Sequence, residues 1–392
     1  MRKKIALVNQ RYGLEVNGGS ELHCRQLAEK LNGIYDVEII TTCALDYTTW
    51  ENYYPEGLCE VNGIPVRRFK VDRRRKPRQF KKLSDRVIGV KGHSDADEEK
   101  WIDAQGPYSP DCVKYIVDHS GDYEVIIFMT YLYYVTARCL GGGNIPNAFL
   151  IPTAHDEPPI YLNYYKKVFA APRGIIYNTV EERDFCENKF GIGNTPNVIA
   201  GVGVDAPGEK ELFDAKERYG LDNYMLYAGR IDESKGCGTL FKYFTEYKKR
   251  NGGDFKLVLI GKPVMEIPKR DDVIHLGFVS DTEKFSLMKD ARFLVLASEF
   301  ESLSMVVLES MVYGRPVLLN GKCKVLKGHC TKSNAGLYFE TYFEFEGALN
   351  YLLTHPEEYD VMRENGRRYV DENYRWEIII SKIRKLIDEF KI

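Results

Sequence analysis

Residues 293–317 read FLVLASEFESLSMVVLESMVYGRPV, and the fold can be worked out from this stretch. Phe293 to Ala297 is a continuous apolar run, the pattern of a strand buried on both faces in a parallel sheet, and Ser298 to Ser304 is a polar connection. Met305, Leu308, Met311 and Val312 follow at helical spacing, Gly314 supplies the stop, and Pro316-Val317 opens the next strand. A strand, a polar turn and a helix in this order leave the N–H groups of Ser302, Leu303, Ser304 and Met305 at a helix N-terminus, aimed at an anion. Two carboxylates, Glu301 and Glu309, flank the junction eight positions apart. Beside an anion site, carboxylates have hydroxyl groups to accept, and a sugar carries them.

A second segment, Tyr224 to Gly238, reads YMLYAGRIDESKGCG. An apolar strand ends at Ala228-Gly229, Arg230 follows, Lys235 comes five positions later, and a helical run starts at Thr239. Two cations fixed by one turn suit a departing diphosphate, whose charge grows as its bond to the sugar breaks; one such donor is worth roughly 3 kcal/mol. At the N-terminus, Lys4 to Asn9 reads as a strand. RYGLEVNGGSELHCRQLAEKL then predicts a Gly18-Gly19 turn and an amphipathic helix from Ser20, with Ser20 as N-cap and Leu22, Leu27 and Leu31 inward. Neither G-x-G-x-x-G nor G-x-x-x-x-G-K-[ST] occurs, which argues against a dinucleotide dehydrogenase and a P-loop NTPase. In FLIPTAHDEPPI (149–160), His155 and Asp156 sit just past the end of an apolar strand, where open α/β sheets place ligands. Asn178-Thr179-x-x-Glu182-Arg183 follows a strand at Gly174 to Tyr177, and Val198 to Asp205 reads as the strand closing the N-terminal half.

Length and composition agree with two α/β domains. The chain has 392 residues, 44% hydrophobic and 29% charged, with a net charge of −2 that disfavours nucleic acid as a partner. No apolar run approaches the ~20 residues of a membrane span, and the start MRKKIALVNQR is too soon polar for a signal peptide, so a cytosolic protein is expected. Nine cysteines without C-x-x-C fit reduced, buried thiols, and Cys323, Cys330 and His329 make a poor metal set. The alternation of strands and helices restarts after Asp205, with strands near Met225, Leu257, Ile274, Phe293 and Val317. NYRWEIIISKIRKLIDEF at the end is an amphipathic helix with Trp376, Ile379, Ile383 and Leu386 in step.

The segment ES-L-S-M-x-x-L-E-S-M-x-x-G-R-P-V resembles the E-x7-E signature of retaining glycosyltransferases of family 4, which have the GT-B fold. Arg230 and Lys235, the run GGSELH and His155 resemble further motifs of that family, in the family's order. The family more often has Gly where Ser302 and Ser304 stand. The resemblance implies two Rossmann-like doubly wound parallel-sheet domains facing across a cleft. Residues 1–205 would be the acceptor domain, 206–374 the nucleotide-sugar donor domain, and the helix of 375–392 would cross back to the first. It also implies a division of roles. Arg230, Lys235, the Ser302–Met305 turn and the loops at Gly18-Gly19 and Gly229 would hold the diphosphate, and Glu309 would accept the ribose hydroxyls. Glu301 and His155 would face the donor sugar, and the backbone of Gly277, Phe278 and Val279 the base. The donor is then a nucleoside-diphosphate sugar, the acceptor a sugar or lipid-linked sugar hydroxyl in cell-surface polysaccharide or glycoconjugate assembly, and no further cofactor or metal is implied. Other GT-B enzymes, epimerases or phosphorylases, and a non-catalytic nucleotide-sugar binding protein share these features and stay open.

The stretch Lys70 to Gln105 departs from a minimal unit. It holds RRRKPRQFKK (Arg73 to Lys82) and DADEE (Asp95 to Glu99). A solvated loop is the plain expectation; the functional ones are a mobile lid or a basic surface that meets anionic lipid. Asp95-x-Asp97 mimics a metal-binding D-x-D, but it follows no apolar strand and is read as part of the charged loop. Tyr131, Tyr133, Tyr134, Tyr161, Tyr164 and Tyr165 cluster after strands on the acceptor side, where aromatic faces suit sugar rings.

Overall fold

The computed structural model describes residues 2–89 and 92–390. The chain divides into two compact units, Met1–Val202 with Ile379–Ile392, and Gly203–Ile378. In the first unit, β1 (Lys4–Val8), β2 (Asp36–Thr42), β3 (Gly57–Val61), β4 (Ile64–Phe69), β5 (Val125–Met129), β6 (Ala148–Ile151), β7 (Gly174–Tyr177) and β8 (Asn197–Ile199) form one sheet in the order β3-β4-β2-β1-β5-β6-β7-β8. All neighbours pair in parallel except β3 with β4, which form an antiparallel edge. β5 (VIIFM) is buried at every position, as apolar runs without alternation require in a sheet covered on both faces. The core on one face gathers Ile126, Phe128 and Leu150 with Trp101, Ile116, Tyr165 and Phe169.

The second unit repeats the plan. Strands β9 (Tyr224–Ala228), β10 (Lys256–Ile260), β11 (Val273–His275), β12 (Phe293–Leu296), β13 (Val317–Asn320) and β14 (Gly336–Phe339) lie in the order β11-β10-β9-β12-β13-β14, all parallel. Five of the six lie where the apolar runs predict; β14, GLYF, half exposed at its centre, escapes that criterion. The chain passes between the units at 202–203 and 378–379. Within the second unit these ends lie side by side, since the Val204 N–H donates to the Tyr374 carbonyl at 3.0 Å and a Cβ at Gly203 would overlap the Trp376 indole. The C-terminal helix Trp376–Asp388 buries Trp376, Ile379, Ile383 and Leu386, the predicted face. Past it, Phe390 packs edge-on against Phe149 of the first unit's sheet, centroids 5.7 Å apart.

Several local expectations are corrected. The helix after Gly18-Gly19 starts at Gly19 with Gly18 as N-cap, so Ser20 is inside the first turn; its hydroxyl bonds Glu21 instead. The helix after Lys235 starts at Cys237 rather than Thr239, and β8 ends at Ile199, leaving 200–205 irregular. The charged stretch expected as a solvated loop is largely helical, at Pro77–Val87 and Asp95–Gln105. Its apolar residues explain this. Phe80 lies 5.7 Å from the Trp101 ring, and the Trp101 indole N–H donates to Ser84, which ties the two helices together. Asp97 closes a capping box with Ser94 and pairs with Arg86 at 2.9 Å, so its carboxylate is engaged by its own helix. Eight of the nine cysteines are buried and Cys59 is exposed. No described helix is long and apolar enough to cross a membrane.

Candidate active site

In the second unit the connections leave β9 toward β10 on one side, while β12 lies on the other, so β9 and β12 bracket the point where strand order reverses. Crevices at the carboxyl ends of such strands are where open α/β sheets bind ligands. The β9 exit carries Gly229, Arg230 and Lys235, and the β12 exit carries Glu301 to Met305. Residues 66 positions apart in sequence meet here: Lys235 Nζ lies 2.8 Å from Glu301 Oε1.

The β9 turn is built around Asp232. Its carboxylate accepts the Lys235 backbone N–H at 2.9 Å and the Ser234 hydroxyl at 2.7 Å, capping the short turn Glu233–Lys235, and it pairs with the Arg230 guanidinium. Burial pushes the Asp232 carboxyl up, but the Ser234 hydroxyl, the Arg230 charge and the Lys235 N–H outweigh it, and the net shift is below the usual carboxylate range. One ionised carboxylate therefore holds both cation-bearing residues in a single turn. Gly236, at φ +70°, lets this turn close on β12, since a Cβ there would overlap the Ala297 carbonyl oxygen.

The helix after β12 begins at Met305, with Ser304 as its N-cap and no side-chain capping bond. Ser304 sits in the left-handed region at φ 67°, the conformation that glycine adopts without cost. Ser302 and Leu303 therefore belong to the loop, and the uncapped helix N-terminus is formed from Met305 onward. Glu309 lies on the buried face of this helix, 7% exposed, and its Oε1 accepts from Lys284 Nζ at 2.9 Å. Gly277 lies beside the β10 exit, its carbonyl accepting the Gly261 N–H at 2.7 Å. Phe278, next to it, is 72% exposed.

The other predicted residues lie in the first unit, whose strand order reverses between β1 and β5. Gly18 and Gly19 open the helix after β1, where Glu21 folds back: it pairs with Arg11 and accepts from Gln10 at 2.9 Å, and a Cβ at Gly18 would overlap this carboxylate. His155 follows β6, its Nδ1 3.5 Å from Glu157, which also accepts the Tyr131 hydroxyl at 2.9 Å; Asp156 accepts from Tyr161 at 2.6 Å. Tyr131 and Tyr165 are fully buried and Tyr134 and Tyr164 nearly so, which makes these four core residues, whereas Tyr161 is 60% exposed.

Four side chains around these loops carry more than their sequence positions announced. Asp232 is legible in retrospect as an acidic cap three residues before Lys235. Lys284 lies 3.6 Å from Asp281 on its own helix, but nothing local announces its bond to Glu309, 25 positions away. Glu182 is buried, its two oxygens accepting the N–H groups of Ala154 and Asn178, each at 2.6 Å, so it joins the His155 loop to the end of β7; burial pushes its carboxyl up to about 8. His329 is turned away from a role beside Cys323 and Cys330, its Nε2 lying 2.7 Å from the Leu303 carbonyl.

Residues 208–369 match the family model for glycosyl transferases group 1. The alpha-D-kanosaminyltransferase of Streptomyces kanamyceticus is 32% identical over 178 residues, 41% of this chain and 45% of that protein, so the alignment spans about half of its length. Several solved structures align with 99% of the chain. Sucrose-phosphate synthase from Thermosynechococcus elongatus has a TM-score of 0.71 at 17% identity, with 99% of its chain covered. Anabaena HepE, solved in complex with UDP and glucose, has a TM-score of 0.70 at 14% identity, with 100% covered. The two Rossmann-like parallel-sheet domains of this chain thus have the GT-B fold, and its residues 208–369 match the family model for glycosyl transferases group 1.

Proposed function

We propose that this protein is a retaining glycosyltransferase of the family 4 type, moving a sugar from a nucleoside-diphosphate sugar to a hydroxyl acceptor in the assembly of a surface polysaccharide or glycoconjugate. The observation that carries this reading is the meeting of Lys235 with Glu301 at the strand-order reversal, beside Arg230 and an uncapped helix N-terminus. Those groups suit an anion with a sugar attached. The match of residues 208–369 and the UDP bound to a structural neighbour support the donor class.

In this mechanism the diphosphate binds the first-turn N–H groups of the Met305 helix, Arg230 and Lys235. As the anomeric bond lengthens, negative charge grows on the bridging oxygen, and the two cations stabilise it more than they do the ground state. Glu301 accepts donor-sugar hydroxyls while holding Lys235; Glu309, held by Lys284, accepts the ribose hydroxyls; the backbone at Gly277 to Val279 faces the base. His155 donates to a sugar hydroxyl, and Gly18-Gly19 lets the backbone approach the donor phosphate. The acceptor attacks from the face that the diphosphate leaves, a phosphate oxygen takes its proton, and no metal or further cofactor takes part. Nucleotide sugars screened by thermal shift test the donor class, since binding at 100 times Kd adds about 2.7 kcal/mol to stability. A panel of UDP-, GDP- and ADP-sugars without a shift would sink the reading.

The basic face of the helix Pro77–Val87 belongs to the same proposal. Arg78 and Lys82 are exposed while Phe80 and Leu83 turn inward, an arrangement that suits peripheral contact with anionic lipid. Co-sedimentation with phosphatidylglycerol vesicles, lost in the Arg78→Glu, Lys82→Glu double variant, is the expected outcome.

A further inference from the structure

We infer that His329 is a positioning residue for the turn that carries Glu301 and leads into the Met305 helix, and that Tyr369 and Tyr374 fix it in the one tautomer that can do this. The inference rests on the reading of that turn as the diphosphate site.

His329 lies on the helix Lys324–Ser333, fully buried, with Nε2 2.7 Å from the Leu303 carbonyl oxygen. A carbonyl only accepts, so Nε2 carries the proton and Nδ1 is the bare nitrogen. Nδ1 lies 3.3 Å from the Tyr369 hydroxyl, which must then donate to it. Tyr369 in turn lies 3.2 Å from the Tyr374 hydroxyl, and having given its proton to His329 it accepts there. The polarity of the whole chain follows, from Tyr374 to Tyr369 to His329 to Leu303. Burial lowers the His329 pKa to about 4, which keeps the ring neutral, with one bare nitrogen, over the physiological range.

Both ends of this chain lie at informative places. Leu303 is 3% exposed and precedes Ser304, the non-glycine residue held at φ 67°. Such a conformation persists only where its surroundings over-determine it. Lys235 holds this turn from the β9 side through Glu301, and His329 holds it from the helix Lys324–Ser333 through Leu303. At the other end, Tyr374 accepts the Val204 N–H through its own carbonyl, where the chain enters and leaves the second unit. The acid-bearing turn is therefore anchored by backbone and side-chain hydrogen bonds to a fixed point of the unit, 71 positions along the chain from Leu303.

The test compares His329→Leu, His329→Gln and Tyr369→Phe with the wild type, reading UDP, GDP and ADP affinity by calorimetry together with Tm. Removal of the Nε2–H donor in His329→Leu should weaken the preferred nucleoside diphosphate about tenfold. The Gln side chain presents an N–H to the same carbonyl and should recover affinity to within about threefold of wild type. Tyr369→Phe keeps the ring and loses the proton that fixes the tautomer, so affinity should fall about threefold with little change in Tm. A merely structural role would lower Tm in His329→Leu while the folded fraction binds with wild-type affinity, and that overturns the inference, as does a Gln variant no better than Leu. If His329→Leu does not fold, wild-type affinity in Tyr369→Phe overturns it instead. Wild-type protein that binds none of the three nucleotides fails the donor reading itself, a result distinct from unaltered binding in the variants.

Discussion

Lys235 and Arg230 are each held by a carboxylate in this structure, Lys235 by Glu301 and Arg230 by Asp232. Such pairs orient a cation without neutralising its use, because a carboxylate and a diphosphate can share one ammonium or guanidinium. Lys235→Ala should therefore lower kcat about 100-fold, on the order of 3 kcal/mol, with only a small loss in Tm, since the pair it breaks is partly exposed. Steady-state kinetics beside a thermal melt separate the two; near-normal turnover removes the diphosphate assignment. Glu301→Gln should spare the free nucleoside diphosphate, or tighten it by releasing Lys235, and harm only the nucleotide sugar. Glu309→Gln should weaken both ligands, and equal loss of nucleoside diphosphate in the two variants would defeat the division of roles. Glu182 makes a prediction about pH. Its carboxyl is raised from 4.5 to about 8 in the folded chain, so between those values the folded state holds the proton more tightly than the unfolded one. Its contribution is complete below pH 4.5 and is lost as the pH rises through 8. Urea unfolding across this window should show that fall, and Glu182→Gln should flatten it.

At the scale of elements, the turn into the Met305 helix is the demanding one. Ser304→Gly should be tolerated or stabilising, while Ser304→Val, with a branched side chain in the left-handed region, should cost about 1–3 kcal/mol and disturb nucleotide binding. The helix at Asp95 supplies a control. Since Asp97 is the N3 partner of the Ser94 capping box, Asp97→Ala should lower Tm slightly. Turnover per folded molecule should survive both that change and chelator. Strict dependence on magnesium or manganese that maps to Asp95 and Asp97 would instead favour a different transferase class. The charge density of residues 73–99 announces solvent exposure, and the helices Pro77–Val87 and Asp95–Gln105 are indeed exposed on one side; the Phe80, Leu83 and Trp101 spacing that makes them helical is visible only when the charges are set aside.

At the scale of the whole molecule, the prediction is stereochemical. A reaction in which the acceptor enters on the face the leaving group vacates keeps the anomeric configuration, so proton NMR couplings at the new linkage should show an α product from an α-linked donor. An inverted linkage would defeat the retaining assignment outright.

What could be read from the chain alone follows from local periodicity. Unbroken apolar runs such as FLVL and YMLYA mark strands covered on both faces, and the glycines, prolines and helical spacings after them place the loops that a doubly wound sheet turns toward its ligands. Strand β14 and the start of the Gly19 helix escaped because neither has a strong local signal: one strand is half exposed, and the helix is capped by a glycine rather than by the adjacent serine. What tertiary structure alone decided is which charges meet. Lys235 finds Glu301, Lys284 finds Glu309, and His329 finds Leu303 across separations of 66, 25 and 26 residues. Such pairings arise from strand order and helix packing, which bring distant positions to one sheet edge, and no pattern within a short window of sequence encodes them.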